Sequence, residues 1–233
     1  MPPSAWRATT PEGHGTHVSG IVAGHGNNAV GISGLCWSAK VMPVKFMDSH
    51  GRGSTSNAVT GIDYAVKQGA KVINCSFGSS SKSKSLEDEV SYAKKKGVLL
   101  VVAAGNDGDD IDSKPTYPAS YTSSNIITVA ATTQLNQLAS FSNYGKSGVD
   151  LGAPGDKIVS TYLGSTYKTL SGTSMAAPLV AATAAMLRSQ NGDLTYSELR
   201  SAIRNHVIAT SPLAGKTVSG GQLDVAAALG STH

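Results

Sequence analysis

Four short, almost wholly apolar runs separated by amphipathic stretches constrain this chain more than any other feature. They are KVMPVKF (40–46), KVINCSF (71–77), VLLVVAA (98–104) and IITVAA (126–131). Each has the length of a strand and the composition of one buried on both faces. Between the first three lie STSNAVTGIDYAVKQG (54–69) and SLEDEVSYAKKKG (85–97). The first places Val59, Ile62 and Val66 on one helical face. The second offers Ser85 as an N-cap, Asp88 three residues on, and Gly97 as a C-terminal stop. Two more helices are expected. MAAPLVAATAAMLRSQ (175–190) is apolar nearly all round and so should be buried. LTYSELRSAI (194–203) carries a capping box of Thr195 and Glu198, with Leu194 and Leu199 as a hydrophobic staple. Buried strand, helix, buried strand predicts an α/β fold, a parallel sheet flanked by helices on both faces. Sites in such sheets form at the carboxyl ends of the strands, where SFG, GND and GRGS (51–54) fall.

The 233 residues leave room for a sizeable core, and no repeat or low-complexity linker divides them. One domain over 1–233 is expected. The net charge of +4 is not gathered into a stripe, because KSKS (82–85) and KKK (94–96) are local and DDIDSK (109–114) opposes them. That argues against a nucleic-acid footprint. No apolar run reaches the length of a membrane span, and MPPSAWRATT lacks the apolar core of a signal peptide. Cys36 and Cys75 lie in apolar stretches and read as two buried free thiols. No metal-type Cys/His spacing is present.

The chemistry-bearing residues are ambiguous one at a time. His14 and His17, in PEGHGTHVSGI (11–21), sit at the apparent start of a helix. As a metal pair they lack a third ligand. As a general base, His14 would need an orienting carboxylate, and the only acid before it is Glu12. Glu12 lies two residues away on no buried strand and does not suit that role. Ser174, in LSGTSMAAP (170–178), is a helix N-cap or a nucleophile beside free backbone N–H groups. Asn106, in VVAAGNDG (101–108), is a turn asparagine or an oxyanion donor.

Together, GHGTHVSGIVAG, AAGNDG and SGTSMAAP resemble, in this order, the histidine, asparagine and serine blocks of the subtilisin-like serine proteases (subtilases, peptidase S8 type). The resemblance runs from about residue 13 to 229 and implies a three-layer αβα fold. It implies His14 as general base, Ser174 as nucleophile, and Asn106 with the Ser174 N–H as oxyanion donors. Ser76, Phe77 and Gly78 would line the primary specificity pocket, with Ala103, Ala104 and Gly105 as its floor and Thr173 beside it. Gly51, Arg52 and Gly53 would form the opposite edge, so that extended polypeptide binds as an added strand. A propeptide or protein inhibitor would use the same groove. Pro118, in TYPAS (116–120), would follow a cis bond. GNNAVGI (26–32) resembles a structural calcium loop, with Asn28 giving a side-chain oxygen and Val30 and Ile32 carbonyls. No organic cofactor is implied, and secretion is.

The family's aspartate comes first in the chain, on a central strand, and the segment before His14 does not hold it. The expectation is therefore an N-terminally incomplete catalytic domain, short of one or more strands and of half its calcium ligands. Weak or absent activity and low stability should follow. The alternative is a pseudoprotease that keeps the cleft only to bind extended peptides. Leu179 and Ala182, where the family has histidine and glycine, fall on the buried helix and change packing more than chemistry.

Overall fold

The structure, a computed structural model, describes residues 13–231; Glu12 lies outside them. A six-stranded sheet forms its centre, in the order β1 (Val72–Cys75), β2 (Leu99–Ala103), β3 (Ile126–Thr132), β4 (Leu151–Pro154), β8 (Gly221–Leu223), β7 (Val207–Ala209). The first five in that order are parallel, and β7 is antiparallel to β8. β5 (Ile158–Tyr162) and β6 (Thr166–Leu170) make a separate antiparallel hairpin.

The apolar runs are continuous because both faces of the sheet are covered. Strand alternation sends Leu99, Val101 and Ala103 of β2 to one core, with Ile127, Val129 and Ala131 of β3. There they meet α4 (Thr173–Gln190) and α5 (Tyr196–Asn205), with α6 (Val225–Gly230) packed on both helices. Leu100, Val102, Ile126 and Ala130 point the other way, to α2 (Thr55–Lys67) and α3 (Lys84–Lys95). α1 (His14–Ala23) packs against α4 and β5.

Four expected helices are present, as α2 to α5. Ser83, not Ser85, caps α3: its Oγ accepts the Leu86 N–H at 3.3 Å, and the helix starts at Lys84. Gly97 ends that segment at φ +75°. The Thr195–Glu198 capping box forms, and Leu194 and Leu199 are buried in one cluster. The Tyr117–Pro118 bond is cis. Cys36 and Cys75 are free and buried, and burial pushes the Cys75 thiol up to about 12.

The run 40–46 is a correction, because it forms no strand. Only the isolated bridge Met47–Gly53 follows it, and Val41 and Met42 are 42% and 39% exposed. Among the described residues β1 pairs with β2 alone, and the run does not pair with the open edge of β1. Its apolar side chains are used locally instead. Val44 abuts α2 at Gly61, and the Phe46 ring packs edge-on to Phe77 at 4.7 Å between centroids.

Candidate active site

α4 begins at Thr173, two residues earlier than its apolar pattern suggested, which puts Ser174 inside the first turn. The N-cap is Gly172, so Ser174 does not spend its hydroxyl on capping. Instead Ser174 Oγ donates to the Ser76 carbonyl at 3.3 Å, while Ser76 Oγ donates back to the Ser174 carbonyl at 3.0 Å. Asn74 Nδ2 donates to Ser76 Oγ at 2.9 Å. This exchange joins the carboxyl end of β1 to the start of α4, the junction at which parallel sheets place their sites.

Asn106 follows β2 on an exposed turn. Its Oδ1 accepts both the Thr173 N–H at 2.8 Å and the Thr173 hydroxyl at 3.0 Å. Thr173 Oγ1 in turn accepts the Gly105 N–H at 3.1 Å. With the oxygen so engaged, the Asn106 amide nitrogen is the group left over for a ligand, 3.5 Å from where a Cβ on Gly172 would stand. Thr173 itself is fully buried. Its hydroxyl therefore holds two segments of the site in register.

A cavity of about 160 Å³ opens at this point, lined by Phe77, Gly78, Ala103, Gly105, Asn106, Thr173 and Ser174. All seven were expected at the site, five as substrate-pocket residues and Asn106 and Ser174 as catalytic groups, and the chain separates them by up to 97 positions. Ser76 was also expected there and does not line the cavity, and neither does Ala104. Strand alternation turns the Ala104 side chain into the α2–α3 core, its N–H donates to Val129, and its carbonyl accepts from Asn143. Gly51, Arg52 and Gly53 do not line the cavity. They form an exposed turn in which Asp48 Oδ1 accepts the His50 and Arg52 N–H groups at 2.8 and 3.0 Å. Phe46 links that turn to the cavity wall, since a Cβ at Gly53 would lie 3.0 Å from its ring and Phe77 touches its other side. His14 opens α1, which packs on α4, but it is not among the cavity's lining residues.

Two buried polar residues have roles that the sequence did not disclose: Asn143, which no motif marks, and His17, read only as half of a metal pair. Asn143 Oδ1 accepts the Asp107 and Asp109 N–H groups at 2.9 and 3.0 Å, and its Nδ2 donates to Ala104. It shapes the loop that carries Asn106. His17 is fully buried, and Nε2 lies 3.1 and 2.9 Å from the Ile158 and Lys168 carbonyls. Two carbonyl acceptors require the proton on Nε2. His17 therefore pins the β5–β6 hairpin to α1 and is no metal ligand in this arrangement.

A model of the subtilase family (peptidase S8) matches residues 4–227. The chain belongs to the subtilase family. This subtilase is 46% identical to thermitase of Thermoactinomyces vulgaris over 200 residues, covering 84% of its own chain and 69% of the relative. It is 44% identical to subtilisin BL of Lederbergia lenta over 205 residues, covering 88% and 72%. A solved protease of Pseudoalteromonas arctica superposes with a TM-score of 0.86 at 32% identity, covering 94% of this chain and 71% of that one. The resemblance drawn from the three motif blocks and the α/β class are thereby borne out.

In this subtilase, Asn28, Val30 and Ile32 lie on a loop where Asn27, Ala29 and Gly31 all have φ between 57° and 63°. Asn28 Oδ1 accepts the Val30 N–H at 3.0 Å, so the side-chain oxygen expected as a ligand closes the loop's own turn. Calcium takes about six to eight oxygen ligands, more than the Asn28 side chain and the Val30 and Ile32 carbonyls supply. Among the described residues no group of three or more His, Cys, Asp or Glu side chains is placed to hold a metal. The described residues thus do not fit a complete site. No described helix is long and apolar enough to cross a membrane.

Proposed function

We propose that this subtilase is a serine endopeptidase that hydrolyses peptide bonds through an acyl-enzyme intermediate. One observation carries the reading: Ser174, in the first turn of α4, shares a cavity with an Asn106 whose amide oxygen is already engaged. Ser174 attacks the peptide carbonyl while His14 removes its proton. The Asn106 Nδ2 and the Ser174 N–H receive the oxyanion, the latter at the positive end of a long helix. His14 then protonates the leaving amine, and water repeats the sequence on the acyl-enzyme.

Substrate lies extended between the 76–78 and 51–53 segments as an added strand. Small Ala103 and Gly105 at the base and Phe77 at the wall suit an apolar side chain in the cavity. A propeptide or protein inhibitor would enter by the same edges, and secretion accords with the family.

A fluorophosphonate probe tests the assignment. Ser174 should be labelled in the parent and not in Ser174→Ala. Peptide binding without any labelling would overturn it in favour of a peptide-binding module.

A further inference from the structure

We propose that Lys168 and Tyr162, on the β5–β6 hairpin, form a subsite for acidic side chains on the leaving-group side of the scissile bond. The inference rests on the protease reading above and adds a specificity to it.

The two sides of the cleft follow from the chemistry. The residue whose carbonyl is attacked fills the cavity between Phe77 and Gly105. The leaving amine must be within reach of His14, which protonates it. Whatever borders His14 away from that cavity therefore borders the departing chain. The hairpin is that border. The Tyr162 ring lies so close to Gly13, the residue before His14, that a Cβ there would meet it at 2.6 Å. The other end of the hairpin leads through Ser171 and Gly172 directly into Thr173 and Ser174.

The hairpin is held firmly against α1. Ser160 Oγ donates to the His17 carbonyl at 2.7 Å, and Thr161 Oγ1 to the Thr16 carbonyl at 2.9 Å. His17 Nε2 returns a bond to the backbone of Lys168 itself. Lys168 sits opposite Ser160 in the ladder, on the diagonal from Tyr162, so the two side chains share a face. The ammonium lies 4.6 Å from the centroid of the Tyr162 ring and 3.5 Å from its hydroxyl oxygen. The ring orients the cation without neutralising it.

Lys168 is exposed and makes no ion pair with a described residue. Asp156 is the nearest acid along the hairpin. It is held at the far end by Ser171 Oγ at 2.8 Å, next to Lys157. An oriented, unneutralised cation beside the departing chain selects for carboxylates there.

Binding to full-length Ser174→Ala protein tests this without requiring turnover. Fluorescent extended peptides would share one acyl side and carry Glu, Gln or Lys at the first, second or third residue after the scissile bond. The Glu peptide should bind about two- to fivefold more tightly than the Gln peptide at one of these positions, as an exposed charge pair allows. The Lys peptide should bind more weakly. Lys168→Gln should flatten the preference, Lys168→Glu should reverse it, and about 0.5 M salt should erase it. An unchanged preference in Lys168→Gln, or none in the parent, overturns the subsite. If Ser174 takes the phosphonate label yet the charge preference is flat, the subsite alone fails. If no peptide binds and no label is taken, the subsite and the protease reading fail together.

Discussion

Asn106 can receive an oxyanion only if its nitrogen, and not its oxygen, faces the cleft. Thr173 decides this, because its N–H and hydroxyl both bind Oδ1 and leave the amide no favourable flip. The same hydroxyl accepts from Gly105, which stands at φ +110° with Asn143 where a Cβ would be. Thr173→Val keeps the shape and removes both hydroxyl bonds. At about 1 kcal/mol each, the rate of phosphonate labelling of Ser174 should fall about 10- to 30-fold. Thr173→Ser should stay near the parent. Equal labelling of both variants would mean the hydroxyl does not position the amide. Residues in the motif blocks were legible in sequence because SGTS and AGND each hold several unusual choices in a row. Asn143 was not, since an isolated asparagine looks like any turn residue until long-range contacts bring Ala104 and Asp109 to it.

The β5–β6 hairpin is the element on which the α1 end of the cleft depends, and beside the Ser160 and Thr161 hydroxyls the His17 Nε2 proton ties it there. Burial, the largest cause, holds the His17 imidazole below its ordinary value near 6.5, against the raising effect of its two carbonyl bonds. Nδ1 is buried with no partner, so an imidazolium would have one N–H with nowhere to donate. The unfolded chain binds that proton near 6.5, while the folded one binds it only at lower pH. In the window just below 6.5 the unfolded state holds more protons, so stability falls as pH falls. Melting temperature should be flat above about pH 7 and drop through this window. In His17→Gln, whose amide can still donate, that step should vanish while the carboxylate-driven loss at lower pH persists. A parent-like step in the variant would assign it elsewhere. Elements with a period were readable beforehand, which is why α2 to α5 and β1 to β3 stand near their expected places. The hairpin and β4, β7 and β8 were not: IVSTY and TYKTL mix polar and apolar residues on a partly exposed pair, and LGAP, VIA and GQL are too short or too rich in Gly and Pro to show a run.

At the scale of the whole molecule, the sheet divides two cores of unequal completeness. β2 and β3 are buried along their full lengths, whereas Val72, Ile73 and Asn74 of β1 are only partly covered. The run 40–46 had every sequence mark of another buried strand. Apolar composition does not by itself place a run in a sheet, and among the described residues this run does not take up the open edge of β1. Side chains of similar size should therefore differ in worth by position. Ile127, fully buried at the sheet centre, should cost about 2–5 kcal/mol on replacement by alanine, through lost transfer energy and a residual cavity. Ile73, at the edge, should cost about 1 kcal/mol, because solvent already reaches it and the site can relax. Urea unfolding of the two variants, compared at equal m-value, measures the difference. Equal costs would mean that in solution β1 is covered as closely as the centre, and that the sheet does not end there.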